Sequence, residues 1–298
     1  MFNQTELSRL FPSTALINDM KKKEKFIIEE GILKSCNSDR HNIIIPGTVI
    51  EIGESAVSCN DNIESVVISP GTKKIGFGAF SWCKNLKTVT IPDSVEEIDQ
   101  SAFCGCSSLA NVQISKTSSN LHEIRYLAFS GCGSLKEITI PDSVEDIWPE
   151  SFSMCDLKKI YGGKNVKSIG KHAFFNCTKT SDKSRLSLKD SNEDIVAYKW
   201  FNKGMCSLDS TLDIKPGPWK TYTLYKSKDE CSGFSAYISP LDIFNDINAF
   251  SIGKDIFIRK VVCKSVDFTR PFDSEFTCKE IMVLEKVSVE DLFKEHSK

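Results

Sequence analysis

Between about residues 45 and 180 the apolar positions of the chain recur with a long period. Ile52, Ile75, Ile98, Ile124, Ile147 and Ile169 are separated by 23, 23, 26, 23 and 22 positions. Five residues after each isoleucine stands Val57, Phe80, Phe103, Phe129, Phe152 or Phe174. Cys59, Cys83, Cys106, Cys132, Cys155 and Cys177 follow in nearly the same phase. Leu86, Leu109, Leu135 and Leu157 each precede an apolar-x-apolar unit: Val89/Ile91, Val112/Ile114, Ile138/Ile140, and Ile160 with Gly162 in the second slot. Three apolar ladders in one register mark a repeat protein. A unit of about 23 residues is too short to bury its own apolar face, so each coil must lean on its neighbours.

Within one unit the pattern changes from wall to wall. Lys87-Thr88-Val89-Thr90-Ile91 alternates, which predicts a strand with one buried face. Pro92-Asp93-Ser94 turns the chain, and Pro141-Asp142-Ser143 repeats the device. Val95-Glu96-Glu97-Ile98 returns along a second wall, with Val and Ile inward and the acids outward. Ser101-Ala102-Phe103 closes the coil around a bulky core ring. Strands stack about 4.8 Å apart, so the coils should form a slab about 30 Å long. The longer third repeat places its extra residues in Lys116 to Asn120, a polar bulge expected to leave the stack undisturbed.

After Cys177 the ladder stops, and Thr178 to Asn192 is rich in Ser, Lys and Asp. Beyond it, Ile195–Phe201, Trp219–Tyr225, Ile256–Cys263 and Glu280–Leu284 read as strands, and Ser288–Phe293 carries the cap and spacing of a terminal helix. The expected fold is a β-rich solenoid of about six coils of 22–26 residues, followed by a small, mostly β (α+β) domain. The expected division is an N-terminal cap segment at 1–40, the array at 41–180, a linker at 181–193 and a C-terminal domain at 194–298. That domain either caps the array, whose last coil near Phe174 would otherwise expose an apolar end, or adds a second contact.

Charge narrows the function. Across 298 residues, 38 Lys+Arg stand against 40 Asp+Glu, a net of −2, which argues against a nucleic-acid binder. No apolar run approaches the length of a membrane span. Met1 to Met20 contains Glu6, Arg9 and Asp19 and lacks the apolar core of a secretory signal, so the expected location is cytoplasmic, with thiols reduced. None of the twelve cysteines forms a Cys-x-x-Cys pair, so a zinc site is not expected; no phosphate-cradling Gly motif appears either, and no cofactor is expected. The cysteine ladder reads as buried structural thiols that bond the neighbouring loop backbone.

The phrases IPDSVEEI at 91–98, AFCGCSSL at 102–109 and IPDSVEDI at 140–147, with EGIL at 30–33 ahead of IIIP at 43–46, resemble the BspA-type (Treponema-type) leucine-rich repeat family. That resemblance implies a leucine-rich repeat array, in a family that includes surface adhesins. VAYKWF at 196–201 and CSGFSAYISPLD at 231–242 resemble an uncharacterised domain of phage and bacterial proteins. Ser235 stands where that domain has His and Tyr237 where it has Cys, so any chemistry or metal binding resting on that His is lost here.

The function of a solenoid lies in the residues that do not point inward. The outward row of the alternating strand runs Ile44, Val67, Thr90, Gln113, Thr139, Tyr161, and the row beside it Asn42, Ser65, Thr88, Asn111, Glu137, Lys159. Thr88, Thr90, Asn111, Gln113, Glu137, Thr139 and Tyr161 are therefore the candidate residues for a protein or peptide partner. Ile44 and Val67 are either part of this field or covered by the N-terminal segment. On the return wall Glu51, Glu97, Glu123 and Asp146 form an acidic row broken by Lys74 and Ser168, read as a solvated face rather than a calcium site. The expected function is a non-catalytic interaction scaffold. The alternatives are a cell-surface adhesin and, third, an enzyme in the C-terminal domain around Tyr198, Lys199, Tyr222 and Asp242.

Overall fold

The computed structural model describes residues 25–117, 119–177, 195–202, 224–226, 234–237, 241–244, 256–267 and 275–297. The described chain opens with a hairpin of β1 (Lys25–Glu29) and β2 (Ile32–Asn37). A long wall follows, built from β3 (Asn42–Ile45), β5 (Ser65–Ile68), β7 (Thr88–Thr90), β9 (Asn111–Gln113), β11 (Glu137–Ile140) and β13 (Lys159–Gly162). The short wall alternates with it as β4 (Glu51–Ile52), β6 (Lys74–Ile75), β8 (Glu97–Ile98), β10 (Glu123–Ile124), β12 (Asp146–Ile147) and β14 (Ser168–Ile169). Each short strand pairs in parallel with its counterpart one coil on, isoleucine opposite isoleucine, from Ile52 to Ile169. The hairpin joins this ladder through Leu33 opposite Ile52, so the short-wall sheet has eight strands.

The phenylalanines sit between the walls and stack as one column. Successive ring centroids from Phe80 to Phe103, Phe129, Phe152 and Phe174 are 5.2, 5.2, 5.4 and 5.5 Å apart, with planes within 7° of parallel. Aromatic pairs at this separation add to the energy of area burial. The bulge in the third repeat does disturb one wall. The long wall divides into a four-stranded sheet, β3-β5-β7-β9, and a two-stranded sheet, β11-β13, while the short wall and the ring column run through. The inserted residues fold over the turn edge: Asn120 donates to the Asp93 carbonyl at 3.1 Å, and Asp142 donates to the Lys116 carbonyl at 2.7 Å. The extra chain is thus taken up at the turn edge, between the turns at Asp93 and Asp142.

A third ladder closes each coil in a conformation the apolar pattern did not announce. The residues three and seven places after the ladder isoleucine have positive φ, among them Ser55, Ser101, Leu127, Glu150 and His172 in one column and Cys59, Trp82 and Met154 in the other. Left-handed backbone is unfavourable for such residues. Hydrogen bonds between coils hold it in place: the amides of Phe80, Phe103, Phe129 and Phe152 each donate at 2.8 Å to the carbonyl of Ala102, Ala128, Ser151 and Ala173 respectively.

The cysteines obey the same period with one correction. Cys83, Cys106, Cys132, Cys155 and Cys177 are buried, and each thiol donates to a carbonyl of the preceding coil, those of Val57, Phe80, Phe103, Phe129 and Phe152, at 2.9–3.3 Å. Cys59 lies one position early, in a left-handed column, and is exposed.

The C-terminal domain is an antiparallel sheet of β15 (Ile195–Asn202), β16 (Leu224–Lys226), β17 (Phe234–Tyr237), β18 (Ile256–Asp267) and β19 (Glu275–Val287). Its order is β16-β19-β17-β15-β18, and β18 also pairs with β19, so four strands close on themselves. The terminal helix α1 (Val289–His296) starts where its cap predicts, with the Ser288 hydroxyl accepting from the Asp291 amide at 3.1 Å. The expected linker and most of the expected strand at 219–225 lie outside the described residues.

This domain closes the end of the array. Phe293 of α1 meets Phe174 edge-on at 5.5 Å, Phe244 lies 6.1 Å from the same ring, and Trp200 packs on Phe244 at 5.7 Å. The His172 amide, which in earlier coils has its counterpart bonding the next coil, donates at 3.0 Å to the Phe244 carbonyl. The Ser297 hydroxyl accepts from the Ile160 amide of β13 at 2.9 Å. Gly163, at φ 73°, permits the close approach: a Cβ there would stand 2.7 Å from Phe293 Cε2.

Candidate binding face

The long wall positions its side chains by the two-residue alternation of a strand. Val66, Val89, Val112, Ile138 and Ile160 turn inward and are buried. The outward residues then align coil by coil: Thr88 opposite Asn111, Thr90 opposite Gln113, Glu137 opposite Lys159 and Thr139 opposite Tyr161. Asn111, Gln113, Glu137 and Tyr161 are exposed, and Thr88, Thr90 and Thr139 are half-buried. The break in the wall sorts the seven candidates into two groups, Thr88, Thr90, Asn111 and Gln113 on one sheet and Glu137, Thr139 and Tyr161 on the other.

The first coils contribute less than the sequence pattern suggests. Val67 is only 4% exposed, and Asn42 is buried with its side-chain oxygen accepting from Ser65 at 2.5 Å. Ile44 and Ser65 are half-buried, as Thr88 and Thr90 are, so the loss is confined to Asn42 and Val67. Whether the N-terminal segment covers Val67 concerns residues 1–24, outside the described chain.

Chemically the field is neutral and amphoteric in hydrogen bonding. Thr90 donates to Gln113 Oε1 at 3.0 Å, which leaves the Gln113 amide NH2 as a donor. Asn111 and Thr88 supply both donors and acceptors, and Tyr161 adds an aromatic surface 45% exposed. The one charged pair is matched internally: Lys159 Nζ lies 3.1 Å from Glu137, whose hydrogen bond and charge raise the lysine pKa.

Glu97 and Glu123 of the acidic row on the short wall are paired with cations of the chain itself. Lys74 lies 3.4 Å from Glu97 and 3.3 Å from Asp99. Arg125 reaches Glu97 at 2.8 Å, Asp99 at 3.3 Å and Glu123 at 3.4 Å. Burial pushes the Asp99 carboxyl up, but the Gln100 amide, Lys74 and Arg125 outweigh it and hold its pKa below the ordinary value. Asp146 is shifted upward by burial and by its neighbours Glu123 and Glu145. Arg125 was not singled out by the sequence pattern, because its position one residue after Ile124 holds Gly, Asp or Trp in other coils.

Burial also governs the thiols. It pushes Cys83 up to about 11 and raises Cys104, Cys106, Cys132 and Cys155 as well. Protonated, buried thiols hydrogen-bonded to carbonyls are poor nucleophiles and poor metal ligands. Among the described residues no group of three or more His, Cys, Asp or Glu is arranged to hold a metal ion.

Of the four residues marked for a C-terminal enzyme site, Tyr198 is buried and its hydroxyl donates to Glu295, which also pairs with Lys260. Burial and the Glu295 carboxylate raise its pKa, the opposite of what an activated phenol needs. Lys199 is buried on the same strand, Asp242 opens a 3-10 turn, and Tyr222 lies outside the described residues. No described helix is long and apolar enough to cross a membrane.

No curated protein matches the chain. The leucine-rich repeat protein of T. pallidum is 22% identical with a TM-score of 0.44, over 56% of this chain and 91% of its own. A leucine-rich repeat protein from Bacteroides ovatus is 30% identical with a TM-score of 0.42, over 51% of this chain but only 41% of its own. A leucine rich cell surface protein from Faecalibacterium prausnitzii is 21% identical with a TM-score of 0.34, over 53% of this chain and 67% of its own. A family model for the BspA type leucine rich repeat region matches in six copies, over residues 8–122, 50–181 and 115–206. With its isoleucine, phenylalanine and cysteine ladders stacked coil on coil under that match, the chain belongs to the BspA type leucine-rich repeat family.

Proposed function

We propose that this protein is a non-catalytic scaffold that binds a protein or peptide through the exposed part of the long wall. Thr88, Thr90, Asn111 and Gln113 form one half of the recognition surface, and Glu137, Thr139 and Tyr161 form the other. The observation that carries this reading is the aligned row of neutral, outward-facing hydrogen-bonding groups on a rigid stack. Such a surface offers donors and acceptors at the spacing of an extended backbone, and its components lose little entropy on binding. Residues 41–180 act as the recognition array, 181–193 as the linker and 194–298 as the terminal cap in this scheme.

The test is affinity purification from native cells with Thr90→Arg and Thr139→Arg combined. Loss of the captured partners with an unchanged melting temperature is the expected result; an unchanged partner set rejects the proposal. Cytoplasmic residence and display at the cell surface, the adhesin alternative, are separated by protease shaving of intact cells, which removes only a displayed chain.

A further inference from the structure

The two ends of the short-wall sheet are finished differently. At the C-terminal end, the Phe244 carbonyl takes the His172 amide just beyond β14, and aromatic rings cover the last coil. At the N-terminal end the last strand is β1, and among the described residues it has a hydrogen-bonding neighbour on one side only, β2. An unpaired strand edge is a template for another strand. Natural edges are often blunted by a bulge in the outer strand. Here the register slips between Ile27 and Ile28 because Ser35 and then Leu33 are their partners. The extra residue is Lys34 on β2, and β1 itself stays regular.

The sequence of β1 is Lys-Phe-Ile-Ile-Glu. Laid antiparallel against a copy of itself and centred on residue 27, this strand sets position 25 opposite position 29 at both ends. Each end then pairs Lys with Glu, and Ile27 faces Ile27. Ile27, 51% exposed, and Glu29, also exposed, share the outer face of the strand, whereas Phe26 and Ile28 are partly buried against the core. Phe26 and Ile28 meet across the same axis on the inner face. Cross-strand pairs of opposite charge and of apolar side chains are the unit of sheet stability. A strand that is its own complement under a two-fold axis specifies an isologous dimer.

We infer that β1 is a self-pairing edge through which two copies of this chain join their short-wall sheets into one continuous sheet across a two-fold axis. A five-residue edge makes a small interface, so the dimer forms at high protein concentration and dissociates on dilution. It leaves both long walls free, and the inference does not depend on what they bind.

The experiment is sedimentation velocity on the full chain over a concentration series, with melting temperatures recorded to confirm folding. The wild type is expected to pass from monomer to dimer as concentration rises. Glu29→Lys sets like charges opposite each other at both ends and should weaken the dimer about tenfold. Adding Lys25→Glu to Glu29→Lys restores both pairs with reversed sign, and should return the affinity to within about threefold of wild type. Ile27→Asp, at an exposed position, should give a folded monomer throughout. A wild type that stays monomeric, a dimer indifferent to Ile27→Asp, or a double variant as weak as Glu29→Lys alone overturns the inference.

Discussion

The array and the C-terminal domain both bury apolar residues, yet they are built on different principles. In the array the same contact recurs one coil on: the Cys106 thiol bonds a carbonyl 26 residues earlier, and Thr90 bonds Gln113 at a separation of 23. Among the described residues of the C-terminal domain the side-chain contacts follow no such period. Tyr198 meets Glu295 across 97 residues, and Ser297 meets Ile160 across 137. A solenoid is close to one-dimensional, so its stability is a sum over neighbouring coils. The terminal domain is a closed sheet whose pieces depend on each other at once. Their junction shows how the two kinds of order are joined: the 3-10 turn at Phe244 supplies the carbonyl and the ring that a seventh coil would have supplied.

The largest test of that contrast compares two buried rings. Phe129→Ala removes a ring from the middle of the column and should cost about 3–5 kcal/mol in a urea titration. Phe293→Ala removes one from the cap, and hydrogen exchange should then rise in the last coils while the first coils stay protected. Equal deprotection of the whole chain by Phe293→Ala would show that the two regions unfold as one unit.

Alkaline pH should act through the array. The folded Cys83 thiol ionises near 11 against an ordinary value of 9.0, because burial disfavours the thiolate. The unfolded chain therefore releases its proton first, and the contribution, full below pH 9, is lost as pH rises toward 11, by about 2–3 kcal/mol. Urea midpoints at pH 8 and pH 10.5 for wild type and Cys83→Ala measure it; the variant should show the smaller decline.

Next in size, Gly163→Ala should cost about 1–2 kcal/mol, since it adds a Cβ at positive φ against Phe293. The part due to the clash should vanish in a Phe293→Ala background, while the cost of the positive φ remains. Acid should act on the cap. Burial lowers the His296 pKa below 6.5, with its Nε2 3.1 Å from the Leu157 carbonyl. The unfolded chain then takes up the proton first, and stability present at neutral pH is lost as pH falls below the ordinary histidine value. His296→Gln should flatten the melting temperature between pH 7 and 5. Smallest of all, Lys73→Ala breaks an exposed ion pair with Glu96 at 2.5 Å and should change stability by less than about 1 kcal/mol.

What could be read from the sequence alone is the part of the molecule in which position repeats. Ile75, Phe80 and Cys83 could be assigned to one coil, and to inward-facing rows, because a contact at fixed separation leaves its mark as a period in the chain. The outward residues Thr88 to Tyr161 followed from the same alternation, and the Ser288 cap announced α1. Tertiary structure decided the rest. The long wall divides between β9 and β11, in the coil that carries the insertion after Ile114, while the short wall runs through. Arg125 joins three acids from two coils, which no local pattern records. Leu127, Trp82 and Met154 adopt left-handed backbone although nothing in their chemistry favours it, since hydrogen bonds to the next coil impose it. The pairing of Phe293 and Phe244 with Phe174 arises only when a non-periodic segment has folded, because its separations are set by the closed sheet rather than by the repeat.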